Sequence, residues 1–181
     1  KEYGDEFTKS ENPTKQTDIY DYDFDNWYQV IEGTVQDDPI VFPVIVTGNI
    51  TVKAKWKNET KRHYKANVDA DNTDHIKFTD TSGEDLKDID VVAGEDFVFK
   101  MEALAPDSKT NSGGNKLPSH LSIFVGNSTV ELSQDYYAIE KDIEELNEDE
   151  SLVKAKVTIV GEKVTGNLKI SGKAIKEELK N

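Results

Sequence analysis

The chain has 181 residues, with 22 Lys or Arg against 36 Asp or Glu and a net charge of −14. A field of that sign repels nucleic-acid phosphates and anionic lipid, which argues against either as a partner. The absence of Cys removes disulfides, thiol nucleophiles, Cys-ligated zinc and iron–sulfur clusters together.

The length holds one ordinary domain or two small ones. No apolar run approaches the ~20 residues that span a membrane, so membrane insertion is not expected. Nothing at Lys1 reads as a signal peptide and nothing near Asn181 as an anchor. The expectation is a monomeric segment of a larger multi-domain chain. With 35% hydrophobic and 32% charged residues a disordered chain is conceivable, but the patterning argues against it.

Along the chain the period is two almost everywhere. Asp21, Asp23 and Asp25 occupy alternate positions, so in a strand they share a face and repel without a cation or Lys neighbour. Ile50-Thr51-Val52-Lys53-Ala54-Lys55-Trp56 alternates apolar with polar residues, as a half-buried strand does. Lys57-Asn58-Glu59-Thr60-Lys61 is short and polar and reads as a joint between units. Phe97, Phe99 and Met101 share one strand face. The stretches 153–159 and 168–174 repeat the alternation. Lys and Thr dominate the solvent face, which favours antiparallel sheets wet on one side. Gly48-Asn49, Gly126-Asn127, Gly166-Asn167 and Ser112-Gly113-Gly114-Asn115 read as turns, the Gly-Asn pairs as tight hairpins.

Helical signal is thin. Ile139 to Leu152 is acidic and reads as an exposed loop, residues 106–116 as a mobile surface loop, and Ala174 to Leu179 as one helical turn. Val46-Thr47-Gly48-Asn49-Ile50-Thr51-Val52 echoes Val164-Thr165-Gly166-Asn167-Leu168-Lys169-Ile170, 118 residues further on. Each reads as a turn feeding the closing strand of a unit.

The first unit resembles the Listeria–Bacteroides repeat, the B-repeat of internalin-type surface proteins. The resemblance rests on Tyr3-Gly4-Asp5, Asn12-Pro13-Thr14-Lys15, Tyr22-Asp23-Phe24-Asp25-Asn26-Trp27-Tyr28 and Val46 through Trp56, in order and spacing over about 56 residues. It departs at Asn26, where the repeat has Gly; Asn tolerates a left-handed turn there. The repeat's first strand, which normally precedes Tyr-Gly, is absent: either the chain begins inside the repeat or another segment fills that edge, and an uncovered edge would pair with another chain. The resemblance implies a small β-grasp-like fold in a bacterial surface protein, without catalytic residues. The second unit is similar, more loosely, to modules of Gram-positive surface proteins. Ala93-Gly94-Glu95-Asp96-Phe97, Lys116-Leu117-Pro118-Ser119, Ile123 through Asn127, Gln134-Asp135-Tyr136-Tyr137 and Val164 through Leu168 carry that likeness.

Candidate chemistry is sparse. With 36 acids, carboxylate pairs arise anywhere and select no acid–base dyad. His63, His75 and His120 show no metal spacing, and no Gly-x-Ser-x-Gly elbow accompanies Ser119-His120. Calcium is the stronger candidate: Asp69, Asp71 and Asp74, with Asn72, put three carboxylates and an amide in six residues. The run lacks Gly at its sixth position, has Asp80 rather than Glu at its twelfth, and no helices flank it. Structural calcium at Asp69, Asp71 and Asp74 is therefore a weak candidate, and no other cofactor is expected. Tyr20, Tyr22, Tyr28, Tyr136 and Tyr137 are the candidates for a glycan platform, while Trp27 and Trp56 read as core. A Lys–Asn isopeptide bond, with a mass deficit of ~17 Da, is a minor possibility.

The expected fold is all-β or β-rich: a β-grasp-like module at 1–57 followed by a sandwich-like, Ig-like module at 61–176. The expected function is a non-catalytic extracellular module of a bacterial cell surface or cell wall. It would act as a spacer or as an adhesive domain contacting a host or cell-surface protein or glycan. The alternative is a carbohydrate-binding module attached to a secreted enzyme.

Overall fold

The computed structural model of this chain describes residues 2–104, 115–141 and 154–176, the side chains of Asn72, Asp74, Asn115 and Lys176 excepted. Among the described residues the regular structure is strand, apart from two 3₁₀ turns at Gln134–Tyr136 and Gly161–Lys163. The β-rich class expected from the sequence is what the structure shows. The chain divides into two compact units, Lys1–Lys61 and Arg62–Asn181.

The first unit contains β1 (Glu6–Phe7), β2 (Lys15–Gln16), β3 (Tyr20–Ile31), β4 (Thr34–Pro39), β5 (Val44–Ile45) and β6 (Thr51–Lys61). β3 is its spine. One edge pairs with β6 from Tyr20↔Lys61 to Val30↔Thr51. The other edge pairs with β2 at its start and β4 at its end. β1 and β5 form a separate two-stranded ribbon. Residues 57–61, read from the sequence as a joint, are instead the end of β6, paired with the start of β3. The β3–β4 hairpin turns on Glu32 and Gly33, whose φ values of 48° and 79° give the two positive angles a tight hairpin demands.

Two irregularities in the β3–β6 ladder offset each other. Asp23 faces Asn58 but Phe24 faces Trp56, which leaves Lys57 extra on β6; Asn26 then faces Lys55, which leaves Asp25 extra on β3. A bulge shifts by one residue which face the following side chains take. Strict alternation would put Trp27 beside the acids. The bulge at Asp25 turns it to the aromatic face, where its ring lies 5.7 Å from that of Phe24. Asn26 is therefore strand rather than a left-handed turn, with its side-chain oxygen accepting from the Trp27 N–H at 2.9 Å.

The second unit contains β7 (His63–Asp74), β8 (Ile76–Thr79), β9 (Ile89–Val92), β10 (Phe97–Ala103), β11 (Asn115–Lys116), β12 (Ser122–Val125), β13 (Tyr137–Lys141), β14 (Lys154–Ile159), β15 (Leu168–Lys173) and β16 (Ile175–Lys176). One sheet runs β13-β14-β10-β8 and a second runs β12-β15-β7-β9, with β11 and β16 as a small ribbon. The chain passes from the second sheet to the first between β7 and β8, at His75, whose φ is 56°. Both sheets contribute to one core. Phe97, Phe99 and Met101 of β10 are buried in it, with Ala155, Val157 and Ile159 of β14 and Leu168 and Ile170 of β15, as the alternation predicts. The expectation of antiparallel pairing fails once: β15 runs parallel to β7.

The Gly-Asn pairs do not make simple hairpins. Gly48-Asn49 leads from β5 into β6, and those strands do not pair. Gly166-Asn167 leads into β15, whose neighbours are β12 and β7. Gly166 lacks a positive φ; a Cβ there would lie 2.8 Å from the Cα of Gly126, so close backbone approach is what requires glycine. Both echoed segments do feed a strand, β6 and β15. The expected helical turn at the C-terminus is strand where it is described, as β16 pairs with β11. The acidic segment is β13 as far as Lys141. Residues 142–152 of that segment lie outside the described residues, as do 106–114 of the expected Ser/Asn/Gly loop.

Candidate functional site

In the first unit Tyr22, Phe24 and, past the bulge, Trp27 of β3 place their rings on one face with Trp56 of β6. Tyr22 meets Trp56 edge-on at 6.5 Å, and Phe24 meets Trp56 at 5.9 Å. All these rings are half-buried, not core. Only Tyr28 and Val46 are buried among the unit's described residues, at 8% and 9% exposure. Lys15 lies over the Tyr22 ring at 3.9 Å and 5.8 Å from the Trp56 centroid, a cation–π arrangement. An open groove of about 580 Å³ runs beside them, lined by Lys15, Tyr22, Trp56, Lys57, Asn58 and Glu59. Its lining combines two rings with ammonium, amide and carboxylate groups.

The opposite face carries Asp21, Asp23 and Asp25, exposed at alternate positions as expected. Their repulsion is relieved in part by local partners. Asn58 donates to Asp23 at 3.3 Å, and the Tyr28 hydroxyl donates to Asp25 at 2.7 Å. That bond, followed by desolvation, raises the Tyr28 pKa. Lys55 lies over the Tyr28 ring at 4.0 Å. The outer edge of β6 has no strand partner among the described residues, and Lys53, Lys55 and Lys57 protect it as edge lysines do.

The calcium candidates lie in strand rather than in a free loop. Between Ile170↔Val68 and Gly172↔Thr73, β7 leaves the ladder, so Asp69 and Asp71 fall on an outward excursion of that strand. The carboxylate of Asp69 is engaged by the Lys169 ammonium at 2.8 Å. The side chain of Asp74 lies outside the described residues. Asp80, at the twelfth position of the expected loop, caps its own turn, accepting from the Ser82 hydroxyl at 2.7 Å and from the N–H groups of Ser82 and Glu84 at 2.9 and 3.0 Å. These bonds lower its pKa. Among the described residues no group of three His, Asp or Glu is placed to hold a metal ion. Ser171 is the one buried polar side chain among them, so a buried Lys–Asn–acid trio is not brought together there.

The histidines have separate surroundings. His63 meets Asp90 at 2.5 Å; this bond, with Lys65 at 3.4 Å, lowers the Asp90 pKa against its partial desolvation. His75 is the crossing between sheets. His120 belongs to a chain of hydrogen bonds that sequence reasoning missed. Its Nε2 lies 3.3 Å from Glu131, which also accepts from the Ser122 hydroxyl, and its Nδ1 lies 3.0 Å from the Tyr137 hydroxyl. The Ser122 bond, ahead of that from His120, lowers the Glu131 pKa, with desolvation opposing. The serine points at the carboxylate and not at the imidazole, so the chain is not a nucleophile–base pair.

Tyr137 is removed from the expected glycan platform. It is buried, and its hydroxyl accepts from the Leu121 N–H at 3.0 Å and donates to the Leu121 carbonyl at 3.1 Å. Burial raises its pKa. Tyr136 is half-buried beneath Lys163, 3.9 Å from the ring centroid. Tyr28 is removed as well, being buried with its hydroxyl donating to Asp25, so of the candidate tyrosines only Tyr20 and Tyr22 keep company with the groove side of the first unit, their rings 6.2 Å apart. Compared with known protein families, curated proteins and solved structures, the chain gives no match. No helix among the described residues is long and apolar enough to cross a membrane.

Proposed function

We propose that this chain is a non-catalytic spacer segment of a bacterial cell-surface protein, extracellular or wall-associated, with small β units strung in series. One observation carries the reading. β7, the first strand of the second unit, and β15, the last long one, are adjacent and parallel. Parallel neighbours start at the same end. The chain therefore arrives at His63 at one end of the unit and reaches Lys173, the end of β15, near the other, with only the two-residue β16 on β11 beyond it, which suits a unit inserted in a line. A Cys-free composition and a strong net negative charge suit a module that works unaided outside the cell. The finer assignment, a β-grasp-like repeat followed by an Ig-like sandwich, belongs to this proposal and rests on the residues quoted above.

The test is a binding screen of the purified chain over glycan and extracellular-matrix arrays, with and without calcium. The spacer reading expects no saturable binding. Saturable binding to one ligand class contradicts it.

A second reading, a carbohydrate-binding module attached to a secreted enzyme, is favoured by the groove beside Tyr22 and Trp56. It expects a glycan signal that Tyr22→Ala abolishes while the melting temperature holds. A signal indifferent to that substitution removes this reading as well.

A further inference from the structure

We infer that the second unit is a tension-bearing clamp and that the first unit is the link that yields before it. The inference deepens the spacer reading and rests on it for its purpose. Its mechanics rest on strand direction alone.

Tension along the chain reaches the second unit at His63 and, once the two-residue β11–β16 ribbon has opened, is borne at Lys173 at the end of β15. The strands that carry these residues are side by side, paired from Leu168↔Ala66 through Ile170↔Val68 and again at Gly172↔Thr73 and Lys173↔Asp74. Because they are parallel, the two forces pull them past each other along their own axes. All the bonds between them are then strained together, and none can open before its neighbours. Antiparallel strands pulled from one end open one bond at a time, as in a hairpin. The side chains reinforce the same seam. Asn167 accepts from the Lys65 N–H at 2.9 Å just before the ladder, and Lys169 pairs with Asp69 at 2.8 Å where β7 bows outward. Beneath the seam Ala66, Leu168 and Ile170 are buried in a core of nineteen clustered side chains, so sliding the strands also drags apolar groups toward water.

The first unit has no such seam at its N-terminal side. Its first strand, β1, is two residues long and is held by Glu6↔Ile45, Phe7↔Val44 and the Gly4–Val46 and Val46–Asp5 backbone bonds. With only Tyr28 and Val46 buried among its described residues, it has little core to resist once that ribbon opens. The two units in series therefore differ in strength: the first lengthens under load while the second holds.

The absence of Cys makes the test clean, because introduced cysteines are unique handles. The full chain carrying His63→Cys and Lys173→Cys is pulled in a single-molecule force instrument and compared with His63→Cys and Thr165→Cys. The first pair shears β7 against β15. The second pulls from the end where both strands begin and peels them apart. The expected result is a rupture force several-fold higher for the first pair, both variants melting at the parent temperature. Equal forces, or a stronger second pair, overturn the clamp. Should His63→Cys disturb the fold, Lys65→Cys gives the same two geometries. Pulled by its termini, the parent chain should release roughly 210 Å of contour length first, from 61 residues, and roughly 410 Å later, from 120, at about 3.4 Å per residue. The opposite order overturns the claim that the first unit yields. Ligand binding on the arrays leaves the clamp intact and refutes the spacer reading; equal rupture forces do the reverse.

Discussion

Gly161→Ala and Gly48→Ala are the same chemical change, and the structure assigns them opposite signs. A Cβ on Gly161 would stand 2.5 Å from the Gly94 carbonyl oxygen and 2.8 Å from the carbonyl carbons of Gly94 and Glu95. All three atoms are backbone, so no side chain can swing aside. The Gly94 turn is itself tied down, because its N–H donates to Val164 at 3.1 Å and the Glu95 N–H to Val92 at 3.2 Å. The Gly161 N–H donates to Asp96 at 2.7 Å, and any retreat of the 3₁₀ turn stretches that bond. Overpacking of this kind costs about 1–3 kcal/mol. Weakening a charge-assisted bond adds about 1.5 kcal/mol. Reduced unfolded-state entropy returns about 0.4–1 kcal/mol. Gly161→Ala should therefore destabilise the second unit by about 2–4 kcal/mol, a fall in melting temperature of roughly 6–20 °C for a domain of this size. Gly48 has nothing within 4 Å of its would-be Cβ and no positive φ. There only the entropy term survives, and Gly48→Ala should be neutral or stabilising by up to about 1 kcal/mol. Urea and thermal denaturation of the two variants decide it. A Gly161→Ala protein as stable as its parent refutes the packing argument.

Three further outcomes follow from the described contacts. Tyr137→Phe removes a buried hydroxyl that serves both backbone groups of Leu121, and leaving them unpaired should cost about 1–3 kcal/mol in denaturant titrations. Glu131 has a lowered folded-state pKa, so its contribution is present above the unfolded value near ~4.3 and is lost as pH falls through the lower folded one. Glu131→Gln should thus flatten the acid limb of the melting-temperature profile, and an unchanged acid limb contradicts the assignment. Calcium should leave the melting temperature unmoved, because Lys169 already holds the carboxylate of Asp69; a saturable calcium-dependent rise would restore the metal reading.

The strands of the second unit were legible because their burial alternates without interruption. Phe97, Phe99 and Met101 announce one core face and Ala155, Val157 and Ile159 its neighbour. Local periodicity could not reveal which strands pair. That β15 lies beside β7, and parallel to it, depends on contacts about a hundred residues apart. In the first unit one bulge defeated the pattern: Asp25 is extra on β3, and Trp27 changes face because of it. The Asp69–Asp74 run reads as a metal loop by composition, yet the contact that decides its chemistry comes from Lys169 on another strand. The bond chain through Glu131, His120 and Tyr137 spans β12, β13 and their connection. Its one sequence signal was a His and a Tyr placed beside strands with no partner in view.

The central claim is that the chain crosses the second unit from end to end. Nitroxide labels on His63→Cys with Lys173→Cys, and on His63→Cys with Thr165→Cys, test it most directly. Counting strand rise from the Leu168↔Ala66 pair, the backbones of the first pair are roughly 26 Å apart, whereas His63 and Thr165, each three residues before that pair, lie level with each other about one strand spacing (~5 Å) apart. The account predicts a clearly longer distance for the first pair by pulsed electron resonance. A first-pair distance equal to or shorter than the second would place the chain's arrival and departure at the same end, and both the spacer and the clamp would fall.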